Sequence, residues 1–170
     1  VDIINNDLAN TIGNLLNRTS SMSRKWFDDK VPNYKKFNND NTLRLYSKKT
    51  VDKYIKHFNS YELDLAANDI LNFAINTNLY LNNKQPWNLI KDKNNITLVS
   101  NIIYNVLESN RIIGLLLLPI LPDLSSKIDF QLGLLYNKEI SWKEQLDWGK
   151  LKHDSLLPPP TPIINKLEYE

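Results

Sequence analysis

Two polar residues in the first twenty positions have types and spacing that suit recognition of a nucleobase or a phosphate. Asn14 and Arg18 are four residues apart, so on a helix they project from the same face about one turn apart. An amide both donates and accepts hydrogen bonds, and a guanidinium presents five donors in a planar fork. The pair could read a base edge or clamp a phosphate, and the same spacing also fits an ordinary polar helix face.

A second candidate is Trp87, which follows Pro86 on a predicted turn over residues 83–87. A partly exposed indole on such a turn can stack on a base, which is worth roughly 1–3 kcal/mol per base. The alternative is that the ring packs under the turn as part of the core. Asn78 and Asn82, one helical turn apart just before the turn, add hydrogen-bonding groups beside it.

The elements that must position these residues are predicted to be helices, because apolar residues recur at spacings of three, four and seven. A loop over residues 28–48 is predicted from its polar composition. Five longer helices are predicted, over about Val1–Phe27, Thr50–Phe58, 62–82, Asn95–Pro119 and Pro122–Gly133. The third of these starts from a predicted capping box formed by Asn59 and Glu62, and ends at about Asn82. A second capping box, at Ser141 and Glu144, predicts one further short helix.

These elements indicate an all-α fold, a helical bundle of about five helices. The helix before Pro119 is almost wholly apolar and is predicted to be central and buried. A length of 170 residues suits one domain, with the bundle over about residues 1–150 and an extended Pro-rich tail over 151–170. The chain lacks an initiator Met, which suggests a piece of a longer protein.

Composition excludes several kinds of site. The chain has no cysteine and only two histidines, His57 and His153, which argues against disulfides, thiol catalysis and a metal site. The four glycines are too scattered to form a phosphate-binding loop. Carboxylates such as Glu62, Asp64 and Asp69 are predicted to lie on a solvated helix face. A free-standing enzyme is therefore disfavoured, and no apolar stretch is long enough to span a membrane.

Charge is distributed unevenly along a chain whose formal net charge is only +2. Residues 1–60 hold 11 Lys and Arg residues against 6 Asp and Glu residues, whereas residues 61–170 hold 10 against 13. A basic first third can attract phosphate even when the whole chain is nearly neutral. Arg24 and Lys25, at the end of the first predicted helix, are candidates for supporting phosphate contacts.

Four segments resemble the C-terminal anticodon-binding domain of methionyl-tRNA synthetases, which are class I aminoacyl-tRNA synthetases. NNDLANTIGNLLNRT (Asn5–Thr19) is similar to the first helix of that domain, and NLYLNNKQPWNLIK (Asn78–Lys91) to its helix end and Pro-Trp turn. LLLLPILPDLSSKI (Leu115–Ile128) resembles its Pro-broken helix junction, and PPTPIINKLEYE (Pro159–Glu170) resembles the segment that closes the domain in shorter bacterial-type enzymes.

The resemblance implies that Asn14, Arg18 and Trp87 recognise the CAU anticodon of tRNA-Met, with Asn78 on the same surface. Asn82 stands where the family often has an acidic residue. The family ligates methionine to tRNA with ATP and Mg, in the cytoplasm, but the signatures of its catalytic domain are absent from this sequence. The resemblance therefore implies a noncatalytic fragment without its own cofactor or metal, with the tRNA anticodon stem-loop and the missing catalytic domain as partners and no membrane.

Two other interpretations remain open from the sequence. The bundle could belong to another synthetase of the same class, of the leucyl or valyl type. It could also be a helical protein-interaction domain, which exposed apolar residues near Leu115–Leu121 would favour.

Overall fold

A computed structural model describes residues 2–34, 40–134, 140–161 and 163, with only the helical path given for residues 2–9. Over these ranges the chain is helical and contains no β-strand. Five helices have ten or more residues, and two are single turns, which confirms the predicted all-α bundle. The helices are α1 (Asp2–Trp26), α2 (Thr42–Asn59), α3 (Leu63–Lys84), α4 (Pro86–Leu89), α5 (Ile96–Leu117), α6 (Pro122–Gln131) and α7 (Trp142–Gln145).

Helix α5 is the centre of the bundle. All of its residues from 99 to 117 are buried, and α1, α2, α3 and α6 pack against it. Burial on every side suits a helix made mainly of Ile, Leu and Val. The helix ends at Leu117, two residues before Pro119, whose ring and missing N–H do not fit a continuing helix. The predicted central, buried helix is confirmed.

Helix α2 is longer than predicted. It begins at Thr42, so the predicted loop over residues 28–48 is wrong for its last seven residues. The buried face of α2 includes Ser47 and Thr50 as well as Leu43 and Tyr54. Two hydroxyl-bearing residues at core positions interrupt the apolar pattern, so periodicity alone detected only the second half of this helix.

The junction between α2 and α3 also differs from the prediction. Asn59 is the last residue of α2, and Glu62 precedes α3 without forming a side-chain cap, so the predicted capping box is wrong. The chain turns instead through Tyr61, which has a left-handed φ of 61°. Leu63, the first residue of α3, is 49% exposed because it lies at this turn.

The ends of α6 and α7 agree with the sequence signals. Pro122 occupies the first turn of α6, and Gly133 follows its end with a φ of 67°. A side chain at Gly133 would lie 2.6 Å from the Leu156 carbonyl oxygen, so the position requires glycine. Ser141 and Glu144 form both hydrogen bonds of the predicted capping box.

The described part of the C-terminal segment forms no helix, as predicted, but it contains a turn at residues 153 and 154 and is anchored to the bundle. Leu151 and Leu157 are buried, and the Val31 N–H donates to the Ser155 carbonyl oxygen at 2.9 Å. Residues 158–161 are not helical. Most of the rest of the proline-containing end lies outside the described residues.

A buried ion pair attaches residues 145–151 to α5. Glu108 is fully buried and accepts two hydrogen bonds from Arg111, at 2.6 and 2.8 Å. Its carboxylate also accepts from the backbone N–H groups of residues 149, 150 and 151 at 2.6–3.1 Å. Arg111 donates to the carbonyl oxygens of Gln145 and Asp147. The two charges are thus paired and hydrogen-bonded, which is the condition for burying them.

Burial raises the pKa of Asp129, on α6, to about 6, against the smaller opposing effect of the Arg111 charge. The folded protein then binds this proton more tightly than the unfolded chain does, so stability falls as pH rises from about 4 to 6. We expect Asp129→Asn to unfold at higher urea concentration than the unmodified protein at pH 7.5, but not at pH 4. Asp123→Asn, at an exposed position of the same helix, should not reproduce this gain, and equal urea midpoints for Asp129→Asn and the unmodified protein at pH 7.5 would contradict the burial argument.

Candidate functional site

A cluster of polar side chains lies where α1 and α3 meet α4. Arg18 donates from Nη1 to Asn78 Oδ1 at 2.9 Å and from Nη2 to Asn82 Oδ1 at 3.1 Å. Its guanidinium carbon lies 5.7 Å from the centroid of the Trp87 ring, within cation–π range. We call Arg18, Asn78, Asn82 and Trp87 the Arg18 cluster. Two amides and an indole thus orient one exposed guanidinium.

Trp87 lies on the single turn α4 rather than on an irregular turn. Gln85 separates α3 from α4 with a left-handed φ of 47°, and Pro86 occupies the first position of α4. Trp87 is half-buried, which agrees with the predicted partly exposed ring, although part of the ring also packs on the core. The rest of the ring borders an open cavity of about 390 Å³, whose other lining residues are Asn17, Arg18, Ser21 and Met22.

Asn14 and Lys25 lie on the same exposed stripe of α1 as Arg18. Asn14, Arg18, Ser21 and Lys25 are all exposed and follow one another at spacings of four, three and four. Asn14 is one turn before Arg18 and does not line the cavity. The sequence correctly placed Asn14 and Arg18 on one face; the structure adds Ser21 and Lys25 to it and extends it toward α3 and α4 through Arg18.

Arg24 has a different environment from Lys25. Its Nε atom forms an ion pair with Asp29 Oδ1 at 3.0 Å, just after the end of α1. The side chain is less than one-third exposed, and its charge is partly compensated by the carboxylate. As a candidate phosphate contact, Arg24 is less available than Lys25.

Asn82 is a member of the cluster that the sequence named only as a neighbour. The spacing of Asn78 and Asn82 by four residues placed both amides on one face of α3. Their common partner is 60 and 64 residues away in the sequence, on α1. Helix spacing could indicate the pair, whereas the contact with Arg18 depends on how α1 and α3 pack.

His57 and Asp69, outside the cluster, form a contact between two helices. His57 Nδ1 lies 2.6 Å from Asp69 Oδ2 and so links α2 to α3. The prediction that Asp69 belongs to a solvated face is wrong, because its side chain is only 13% exposed. No three His, Asp or Glu side chains in the described ranges are grouped so that they could hold a metal ion. None of the described helices is long and apolar enough to cross a membrane.

Comparison with known protein families decides the family. A family model described as the anticodon binding domain of methionyl tRNA ligase matches residues 31–169, which is most of the chain. The chain belongs to this family. The matched range includes α3 and α4 of the anticodon-binding domain, whereas α1 with Arg18 precedes it.

Curated relatives extend the similarity of this anticodon-binding domain to α1. The methionine–tRNA ligase of Bacillus subtilis (strain 168) is 34% identical over 174 residues, covering 100% of this chain and 26% of the relative. That of Listeria monocytogenes serotype 4b (strain F2365) is 33% identical over 175 residues, again covering 100% and 26%. The chain thus spans about a quarter of the length of these relatives.

Solved structures show the same fold. The apo form of Mycobacterium tuberculosis methionyl-tRNA synthetase superposes with a TM-score of 0.87 at 30% identity, over 98% of this chain and 34% of that one. The same enzyme in complex with methionyl-adenylate gives 0.84 at 32% identity, over 94% and 31%. The methionyl family predicted from the four sequence segments is confirmed, rather than the leucyl or valyl type.

The interpretation as a protein-interaction domain lacks the feature that would favour it. Leu115, Leu116 and Leu117 are buried in α5. Leu118 is half-buried, and Ile120 and Leu121 are half-buried against the core. No large apolar residue of this segment is exposed.

Proposed function

We propose that this anticodon-binding domain recognises the CAU anticodon of tRNA-Met. The Arg18 cluster is the observation that supports the proposal. It combines an exposed guanidinium, two amides and a partly exposed indole beside an open cavity. Sequence-specific recognition of RNA commonly uses unstacked loop bases that stack on aromatic rings and hydrogen-bond through their edges.

Each predicted residue has a role in this proposal. Trp87 stacks on a base that the loop presents, and Arg18 and Asn78 hydrogen-bond to base edges or to the sugar–phosphate backbone. Asn14 extends this surface by one helical turn. Lys25, and Arg24 more weakly, attract the phosphates of the loop.

The parent protein in this proposal is a cytoplasmic methionine–tRNA ligase that uses ATP and Mg. Its catalytic domain would lie in the part of the protein that this chain does not include. Residues 1–170 would form one domain of it, which selects the tRNA and neither reacts with methionine nor binds a cofactor. The whole of this chain matches ligase relatives, but it covers only about a quarter of their length, and this supports the division into domains.

Binding to anticodon stem-loops tests the proposal. We expect the protein to bind a CAU stem-loop more tightly than one with a changed first base. Trp87→Ala should lose roughly 1–3 kcal/mol of binding free energy, about 5- to 150-fold in Kd, because the stacking face is removed. Fluorescence anisotropy of labelled stem-loops at fixed salt measures both quantities.

Two control variants separate stacking from folding. Trp87→Phe keeps an aromatic face and should retain most of the affinity. Tyr61→Ala removes an aromatic ring that is 91% exposed at the turn between α2 and α3, and should leave binding unchanged. Equal affinities for the two stem-loops, together with unchanged binding by Trp87→Ala, would refute the proposal.

A further inference from the structure

The exposed face of α2 carries a cluster of positive charge outside the Arg18 cluster. Its cations are all exposed, and Asp52 is the one carboxylate among them. We call this surface the α2 basic face. Its five cations are Arg44, Lys48, Lys49, Lys53 and Lys56.

This charge is not compensated by ion pairs within the described part of the chain. None of the five cations belongs to an ion pair there. Arg44 and Lys48 are four residues apart, as are Lys49 and Lys53, and like charges at this spacing destabilise a helix by about 0.2–0.5 kcal/mol per pair. A chain with a net charge of only +2 thus concentrates repelling charges on one helix. Such a concentration fits an anionic partner.

Helix α2 begins at the same end of α3 as the Arg18 cluster, but on the other side of α3 from Asn78 and Asn82. Asp40, two residues before α2, accepts from the Tyr80 hydroxyl at 3.0 Å and pairs with Lys84 at 2.7 Å. Both partners lie at the end of α3 that carries Asn82. An α-helix of 18 residues is about 27 Å long, so the charges lead away from the cluster over several turns.

The composition of the face indicates which kind of anion it fits. Leu45 is its one large exposed apolar residue, because the other apolar residues of α2 turn toward the core. A helix that lies on a membrane needs a whole apolar face to insert. A row of lysines with almost no apolar area matches a row of phosphates instead.

We infer that the α2 basic face binds the phosphate backbone of the paired stem of the RNA whose loop reaches the Arg18 cluster. This inference rests on the proposed function for the identity of the RNA. The face adds affinity that does not depend on the anticodon sequence, because lysine contacts to phosphates carry no base information.

The triple variant Lys49→Gln/Lys53→Gln/Lys56→Gln tests the inference, since glutamine keeps the helix propensity of lysine. We expect it to bind CAU and changed-anticodon stem-loops more weakly by the same factor, about 10- to 100-fold at 0.1 M salt. The slope of log Kd against log salt should become shallower by up to about 3. An oligonucleotide that contains only the seven loop nucleotides should bind the triple variant and the unmodified protein equally.

The control is Lys127→Gln/Lys150→Gln/Lys152→Gln, which removes three exposed lysines outside α2 and should leave affinity and slope unchanged. An unchanged stem-loop affinity in the α2 variant would overturn the inference, as would an equal loss in the control. An equal loss on the loop oligonucleotide would place the contact on the loop and overturn the assignment to the stem. If the unmodified protein does not distinguish anticodons, the proposed function fails. The affinities of the α2 variant and of the control variant for a stem-loop would still show whether α2 binds the stem.

Discussion

Arg111→Met should lower the free energy of unfolding by about 3–5 kcal/mol. The variant leaves the Glu108 carboxylate in a fully buried position without its charged partner, and it removes donors to the carbonyl oxygens of Gln145 and Asp147. The volume of the side chain is nearly kept, so loss of the ion pair dominates over loss of packing. Urea denaturation, monitored by tryptophan fluorescence and by circular dichroism, measures the change.

Arg24→Met is the matched control, because it removes the same kind of side chain from a partly exposed ion pair with Asp29. Exposed pairs contribute about 0–1 kcal/mol, so the control should be close to the unmodified protein. Similar losses in the two variants would mean that burial of the Glu108–Arg111 pair does not determine its effect.

Phe73→Ala should also cost about 3–5 kcal/mol of unfolding free energy. Phe73 is fully buried on α3 and stacks on Tyr46 of α2, with ring centroids 6.0 Å apart. Truncation leaves a cavity between the helix that carries Asn78 and the helix that carries the α2 basic face. Urea denaturation at neutral pH measures the loss.

Phe130→Ala on α6 serves as the control for Phe73→Ala. Phe130 is 60% exposed, so its truncation should change the unfolding free energy by no more than about 0.5 kcal/mol. If Phe73→Ala lost less than about 1 kcal/mol, the contact between α2 and α3 would have to repack around the cavity, contrary to this prediction.

The sequence predicted most helices because their apolar residues recur on one face, and it failed where polar residues are buried. α5 was predicted correctly from its apolar run and Pro119. The first half of α2 was missed because Ser47 occupies a core position and the residues around it are mostly polar. Glu108 and Arg111 were also missed, although opposite charges three residues apart within an apolar helix could have indicated a buried pair.

For the candidate site, too, the sequence predicted the arrangement of residues on one helix but not the contacts between helices. Spacing placed Asn14 with Arg18 and Asn78 with Asn82, because each pair lies on one helix. It could not show that Arg18 bonds to both asparagines of α3, since that contact depends on the packing of α1 against α3. Nor could it show that Trp87 is half-buried on a helical turn, which depends on the left-handed residue Gln85.

The way Arg18 is held determines which hydrogen-bonding groups the site presents. Asn78 and Asn82 both use their amide oxygens to accept from Arg18, which leaves their NH₂ groups to face other partners. A guanidinium has donors only, and each asparagine oxygen already accepts one hydrogen bond, so the three adjacent side chains offer mainly N–H donors to a ligand. Such a surface is polarised in its hydrogen bonding: it complements a ligand edge made of oxygen and ring-nitrogen acceptors. In the proposed recognition of RNA, a base edge made mainly of N–H donors would meet few free acceptors here, so this arrangement would favour acceptor-rich edges.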